Sequence, residues 1–435
     1  SMKKESKKVA FHTLGCKLNY AETSTIARKF EAAGYEKMDF SQVADLYVIN
    51  TCSVTENADR EFRKIVNRAK RSSPHSKIAV IGCYAQLRPD SIVESSAVDL
   101  VLGAKEKFNI LQHINFESSV DEPLIIQDAQ LDDIHGCTPS YSVGDRTRSF
   151  LKIQDGCDYP CSYCTIPMAR GKSRSIAPHI LIQQAAEIAS LGVKEIVLTG
   201  VNVGDYRFGT DYFLIDLLKQ LDEVPGIDRY RISSIEPNLL TDEIIDFVAR
   251  SRSFLPHFHI PLQAGSDKVL GLMKRRYGVE LYEDRIRAVR AKMPDAGIGS
   301  DVIVGFPGEG KIEFEQTFSL IENLDISYLH VFTYSERPNT DAILLAGKVG
   351  LRERKERNKR LTDLSQKKNM AFALRQLNLP RKVLFEGQHN GQISGMTENY
   401  LKVHVVSNEV NLANRIMDVE LTAVVDSRII ARILT

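Results

Sequence analysis

At 435 residues the chain is long enough for two or three domains with substantial cores, so disulfides are not needed for stability. Seven cysteines is an odd number, no apolar stretch opens the chain, and no run approaches the roughly 18 residues of a membrane span; these features point to a reduced, cytoplasmic, non-membrane protein. The formal net charge of +1 argues against a polyanionic partner only as a whole-chain sum, which conceals local fields.

In chain order, residues 1–8 read as a solvated tail, with Ser1 ahead of Met2 an expression remnant. Residues 9–125 alternate short apolar runs with helical patterns: "VAFHTLG", "AETSTIARKFEAAG", "ADLYVIN", "ENADREFRKIVNRAKR", "KIAVIG" and "VDLVLG". That rhythm predicts an N-terminal parallel α/β domain, joined by a linker (126–145) to a second one. Between 146 and 345 the runs "SFLKIQDG", "KEIVLTG", "RYRISS", "FHIPLQ", "GIGSDVIVG" and "ISYLHVFTY" predict a partial (β/α)6 barrel rather than a closed eightfold one. Residues 346–379 read as a basic helical linker. From 380 to 435 the period becomes two, in "RKVLFEG", "NYLKVHVVS" and "MDVELTAVVD", which predicts a small antiparallel β-barrel. The fold class is α/β.

Chemistry concentrates in "QDGCDYPCSYCTIP" (154–167), where Cys157, Cys161 and Cys164 form C-x3-C-x2-C just beyond the first barrel strand, at the carboxyl end where sites of parallel αβ folds gather. Structural zinc wants a fourth ligand, and the nearest downstream histidine, His179, lies beyond Pro178 in the next helix. An iron-sulfur cluster held by three cysteines accounts for the missing fourth, because one iron stays open.

This loop, with the aromatic Tyr163 before its last cysteine, resembles the signature of the radical S-adenosylmethionine (SAM) enzymes. The resemblance implies that the open iron chelates the amino and carboxylate groups of SAM, whose reductive cleavage yields a 5′-deoxyadenosyl radical. "LTGVNVG" with Gly200 and Asn202, "ISSIEP" with Ser234 and Glu236, Gln263 in "FHIPLQ", and Ile303 in "DVIVGFPGE" match further parts of that pattern, and by resemblance contact the cofactor's methionine, ribose and adenine. Taken alone, a loop glycine or a strand-end acid is more often structural.

Cys16, Cys52 and Cys83 each follow a predicted parallel strand, so their loops converge on one sheet edge. A single such cysteine is usually just a small buried side chain. Three at equivalent strand ends read as a second three-thiolate cluster site, whereas Cys137 in "DIHGCTPS" fits neither trio and reads as a free thiol.

"GCKLN", "NTCSVTENADR" and "GCYAQ" resemble the methylthiotransferase family over nearly the whole chain, including "FTYSERPNTDA" and a last barrel similar to the RNA-binding TRAM domain. The resemblance implies two [4Fe-4S] clusters and SAM serving both as methyl donor and radical source. It also implies a methylthio group joined to C2 of N6-threonylcarbamoyladenosine beside the tRNA anticodon. The implied partners are a tRNA anticodon stem-loop, a reductase and a sulfur source, with the protein a monomer. Lys17 and Leu18 in "GCKLN" point to the threonylcarbamoyl branch; the alternatives are N6-isopentenyladenosine of tRNA or an aspartate of a ribosomal protein. A zinc-stabilised RNA-binding adaptor is the non-enzyme alternative.

An RNA partner gives the local charge a use. From Lys348 to Lys382, twelve Lys or Arg face three acids, a local +9. Arg352, Arg354, Lys355 and Arg357 there, with Lys274, Arg275 and Arg276 in "MKRRY" and Arg337, are the candidate RNA-backbone contacts. A solvated helix with intrahelical pairs, and a helix C-terminus whose cations offset the macrodipole, are the plainer readings.

Overall fold

The computed structural model describes residues 5–52, 56–117, 122–128, 131, 134, 136–144, 147–389, 391–407 and 411–435. Residues 1–4 of the expected tail, 53–55 of the "NTCSVTENADR" motif and parts of the expected 126–145 linker lie outside them. In the N-terminal domain, six strands form an all-parallel sheet in the order Glu36–Met38, Lys8–Thr13, Leu46–Thr51, Lys77–Gly82, Leu100–Leu102, Leu124–Ile126. Helices cover both faces of its central strands, so that in "LYVINT" every residue is buried, the polar Asn50 and Thr51 included. The two outermost strands were not expected; they are three residues each, and "EKM" is a polar edge with no apolar run to announce it.

The second domain contains the expected six parallel barrel strands. Arg148–Lys152, Glu195–Thr199 and Arg229–Ile232 form one hydrogen-bonded trio, and His257–His259, Gly297–Val304 and Tyr328–Thr333 form another. Single bridges from Tyr230 to Phe254 and from Ser234 to His259 join the trios. The side chains alternate: Tyr230, Ile232, Leu329 and Val331 pack in the layer beneath the helices. That leaves Arg229, Arg231, Tyr328, His330 and Phe332 on the inner side. The Lys17–Ala32 helix of the N-terminal domain packs against the first barrel strand, its Tyr20 ring 6.5 Å from Phe150.

The basic segment forms one helix, Leu351–Arg375, laid along the last barrel strand. Leu361 and Leu364 enter the barrel's core cluster, and Ser365 Oγ accepts from the Leu329 N–H at 2.8 Å. The C-terminal domain is a closed five-stranded barrel in the order Pro380–His389, Gln392–Thr397, Lys402–Val406, Arg428–Ile433, Ile416–Val425. It corrects the antiparallel expectation at one pair: Lys402–Val406 runs parallel to Arg428–Ile433, which closes the barrel. The barrel is docked at the amino ends of the second domain's strands. Tyr400 stacks on His257 with ring centroids 4.2 Å apart, and Arg229 donates to the carbonyls of Met396 (3.0 Å) and Lys382 (2.7 Å).

Candidate active site: two trios of cysteines

Cys16, Cys52 and Cys83 follow Lys8–Thr13, Leu46–Thr51 and Lys77–Gly82, which are neighbours in the sheet. Asn19 ties the first two loops together, donating from Nδ2 to the carbonyls of Leu14 (2.9 Å) and Thr51 (3.0 Å). Gly82 brings in the third. Its φ of +99° suits glycine, and a Cβ there would lie 2.2 Å from the Thr51 carbonyl oxygen. Burial pushes the Cys52 thiol up, as do its neighbours Cys83 and Cys16. Burial does the same to Cys83, opposed by the positive charge of the Arg170 guanidinium.

Cys157, Cys161 and Cys164 lie in the loop beyond Gln154–Asp155. The backbone N–H groups of Tyr159 and Ile166 point at the sulfurs of Cys157 and Cys164, both at 3.4 Å, and Asn202 Nδ2 lies 3.8 Å from the Cys157 sulfur. Arg275 Nη1 lies 3.3 Å from the Cys161 sulfur. The loop is anchored by Ser162, whose N–H donates to the Met273 carbonyl (3.0 Å) and whose hydroxyl donates to Leu272 (2.8 Å). Burial pushes Cys157 up and Cys164 up to about 11.

The other sequence-derived positions gather at the same end of the barrel. Gly200 packs on Gln154, whose Oε1 accepts from the Asn202 N–H at 2.8 Å. Ser234 bridges to His259, and the Ile303 N–H donates to Gln263, itself at a left-handed φ of 67°. Glu236 pairs with Arg275, which also reaches the Tyr163 hydroxyl at 3.4 Å. Tyr163 packs edge-on to Phe306. Burial raises the Glu236 carboxyl while Arg275 pulls it back.

Three expected RNA contacts are placed elsewhere. Arg275 is the buried link between Cys161, Tyr163 and Glu236. Arg354 is buried against Glu336 and the Tyr334 carbonyl, and Arg357 against Glu309 at 2.9 Å. Neither can reach a phosphate without leaving a carboxylate uncompensated. Arg352 and Lys355 are exposed, and Arg276 is exposed with its guanidinium over the Tyr159 ring. Lys274 pairs with Asp341 at the surface, and Arg337 sits close enough to Cys164 to act on its thiol.

Sequence reasoning missed the ionic bridge between the trios. Arg170, Glu22, Lys107, Lys152 and Asp155 are all buried. Arg170 donates to Glu22 (2.6 Å), Asp155 (3.1 Å) and Asn19 Oδ1 (2.6 Å), and Lys152 pairs with Asp155 (3.1 Å). It runs from the helix that follows Cys16 to the strand that precedes Cys157. No local motif marks it, because its members lie far apart in sequence.

Among the described residues, no three His, Cys, Asp or Glu side chains are arranged for a single metal ion. Cys16, Cys52 and Cys83 nevertheless sit at the ends of three adjacent strands, and Cys157, Cys161 and Cys164 share one loop of eight residues. That arrangement fits three corners of a four-iron cluster. Beside the second trio, the buried Asn202 Oδ1 and Gln263 Oε1 have no hydrogen-bond partner among the described residues, as befits a polar cofactor's pocket.

Residues 151–321 match the radical SAM superfamily, and residues 8–103 match the uncharacterized protein family UPF0004. The fold is also that of radical SAM methyltransferase TsrM from Kitasatospora setae, with a TM-score of 0.57 at 14% identity over 78% of this chain and 75% of that one. The chain is therefore a radical SAM enzyme in class. It is 41% identical to threonylcarbamoyladenosine tRNA methylthiotransferase MtaB of Bacillus subtilis (strain 168), covering 91% of this chain and 89% of that protein. The MtaB of Aquifex aeolicus (strain VF5) is 37% identical over 91% and 96%. The tRNA-2-methylthio-N(6)-dimethylallyladenosine synthase of Helicobacter acinonychis (strain Sheeba) is 33% identical over 98% of each. The chain belongs to the radical SAM methylthiotransferase family.

Proposed function

We propose that the protein transfers a methylthio group to C2 of N6-threonylcarbamoyladenosine beside the anticodon of a tRNA. The observation that carries this is the pairing of two three-cysteine sites across one buried ionic bridge, in a chain whose relatives include tRNA methylthiotransferases. Cys157, Cys161 and Cys164 would hold one [4Fe-4S] cluster, and Cys16, Cys52 and Cys83 a second. When bound, these groups supply reductive cleavage of SAM at the first and a place for transferable sulfur at the second.

The chain's own residues do the positioning. Tyr159 and Ile166 N–H groups and Asn202 donate toward the thiolates they face, which steadies negative sulfur. Arg275 places positive charge at Cys161 and holds Glu236 at the mouth of the barrel, where Glu236, Asn202, Ser234 and Gln263 can orient SAM through its polar groups. Gly200, Tyr163 and Ile303 complete that pocket. The closed C-terminal barrel is of the small five-stranded kind that binds oligonucleotides, and we take it as a TRAM-like RNA module. With it, the exposed cations Arg276, Lys274, Arg352 and Lys355, and the half-buried Arg337 near Cys164, would hold the anticodon stem-loop by its phosphates. A target base stacked in that loop must be splayed out, at about a few kcal/mol. Work in the cytoplasm as a monomer, with a separate reductase and sulfur source, completes the proposal.

The test is nucleoside mass spectrometry after anaerobic reaction with stem-loops carrying either threonylcarbamoyladenosine or dimethylallyladenosine. A sulfur-bearing product from the first alone supports the proposal. A product from the second alone would transfer the chain to the activity of its Helicobacter relative.

A further inference from the structure

The Lys17–Ala32 helix carries its first residue, Lys17, from the Cys16 loop over the open side of the barrel. Lys17 reaches solvent, and among the described residues its ammonium makes no ion pair. Glu195, whose field reaches it, is already shared by Arg148 (3.5 Å), Arg231 (3.5 Å) and Arg229 (3.9 Å). Arg148 and Arg231 also act on Lys17 directly, as Lys17 does on the inner histidines His257 and His330. The remaining inner carboxylate nearby, Asp301, is held by His259 at 2.8 Å.

Arg231 adds a second unused donor. Its side chain is 3% exposed and its guanidinium lies over the Tyr400 ring, yet Nη1 has no hydrogen-bond partner among the described residues. Arg148 also pairs with Glu386 (3.0 Å), but Arg229, Arg231 and Lys17 still outnumber Glu195, and Lys17 Nζ and Arg231 Nη1 are both left to donate. On the inner face of the last strand Phe332 is 53% exposed, a flat apolar surface suited to an unstacked base. An anionic group on that base would meet these donors through charge-assisted hydrogen bonds, which are stronger than neutral ones. A threonylcarbamoyl substituent ends in a carboxylate; a dimethylallyl substituent has no polar atom.

We propose that Lys17, backed by Arg231, binds the carboxylate of the threonylcarbamoyl substituent and thereby selects the substrate, an assignment that rests on the function proposed above. Charge, not shape, is then what the site reads. Losing one hydrogen bond to a charged group corresponds to a roughly 10- to 150-fold change.

The experiment compares kcat/KM on two anticodon stem-loops, one with threonylcarbamoyladenosine and one in which the threonyl carboxylate is capped as its amide. It uses wild type, Lys17→Met and Lys17→Arg, with dissociation constants for both stem-loops from fluorescence anisotropy. Wild type should prefer the acid by about 10- to 150-fold in both measures. Lys17→Met should bring the ratio close to one, and Lys17→Arg should keep most of it. A Lys17→Met enzyme that still distinguishes acid from amide overturns the assignment. A wild type that ignores both stem-loops but modifies the dimethylallyl one overturns the proposed function instead. If Lys17→Met loses iron through its neighbour Cys16, Lys17→Gln takes its place: a ratio near one supports the assignment, and a retained preference for the acid overturns it.

Discussion

Arg170 donates from Nη1 to Oε1 of Glu22 at 2.6 Å, joining the segment beyond one cysteine trio to the helix that begins beside the other. Both side chains are buried, so removing one partner strands the other's charge. Glu22→Gln should cost about 3–5 kcal/mol in urea unfolding.

The same carboxylate makes stability depend on pH. Burial alone would push the Glu22 carboxyl up, but Arg170, Lys107 and Lys152 bring it down from 4.5 to about 2. A depressed folded value means the stabilisation is complete above about 4.5 and is lost as the pH falls toward about 2. The stability gap between wild type and Glu22→Gln should therefore shrink across that window and be constant above it.

Gly82→Ala keeps every thiol but puts a Cβ 2.2 Å from the Thr51 carbonyl at a left-handed φ. Cys83 must then shift. We expect loss of about half the iron and retention of the other half, read by iron analysis of the anaerobically purified variant.

The basic helix separates two kinds of arginine. Arg357→Gln should destabilise the protein by about 3–5 kcal/mol, because it leaves Glu309 buried without its cation. Joint replacement of the exposed Arg352 and Lys355 by Gln should leave the melting temperature near wild type. It should flatten the salt dependence of tRNA binding by about 0.7–0.9 in log-log slope for each phosphate no longer neutralised. An unchanged slope removes these two residues from the RNA interface.

Cys137 is half-buried outside both trios, and burial pushes its thiol up to about 11. At pH 8 about one molecule in a thousand would carry the thiolate, so alkylation should be slow. Cys137→Ser should keep iron content and turnover at wild-type levels; loss of iron would add it to the ligands.

How much of this was legible in the sequence depends on how local the signal was. The cysteine spacings, the alternation of apolar runs with helices, and the period-two tail each sit within a few dozen residues, and each corresponds to an element seen in the fold. Direction was harder. "RERKER" announces cations but not which way they point. The spacing of Arg354, Arg357, Leu361 and Leu364 along one face was the available sign that two arginines turn inward. Arg275 looked like part of a surface patch because "KRR" is contiguous, whereas the chain turns at Lys274, with φ 59°, and sends Arg275 inside. The Arg170–Glu22 contact spans 148 residues, and the parallel closure of the last barrel pairs strands that local patterning cannot match.

The division of labour between the two trios is tested most directly by iron content and 5′-deoxyadenosine formation in two triple variants, prepared without oxygen. Wild type should hold about eight iron per chain. Replacing Cys157, Cys161 and Cys164 by Ala should leave about four iron and no 5′-deoxyadenosine. Replacing Cys16, Cys52 and Cys83 should leave about four iron, continued 5′-deoxyadenosine formation and no methylthiolated tRNA. Methylthiolation surviving in the second variant, or zinc in place of iron in the wild type, would contradict the account.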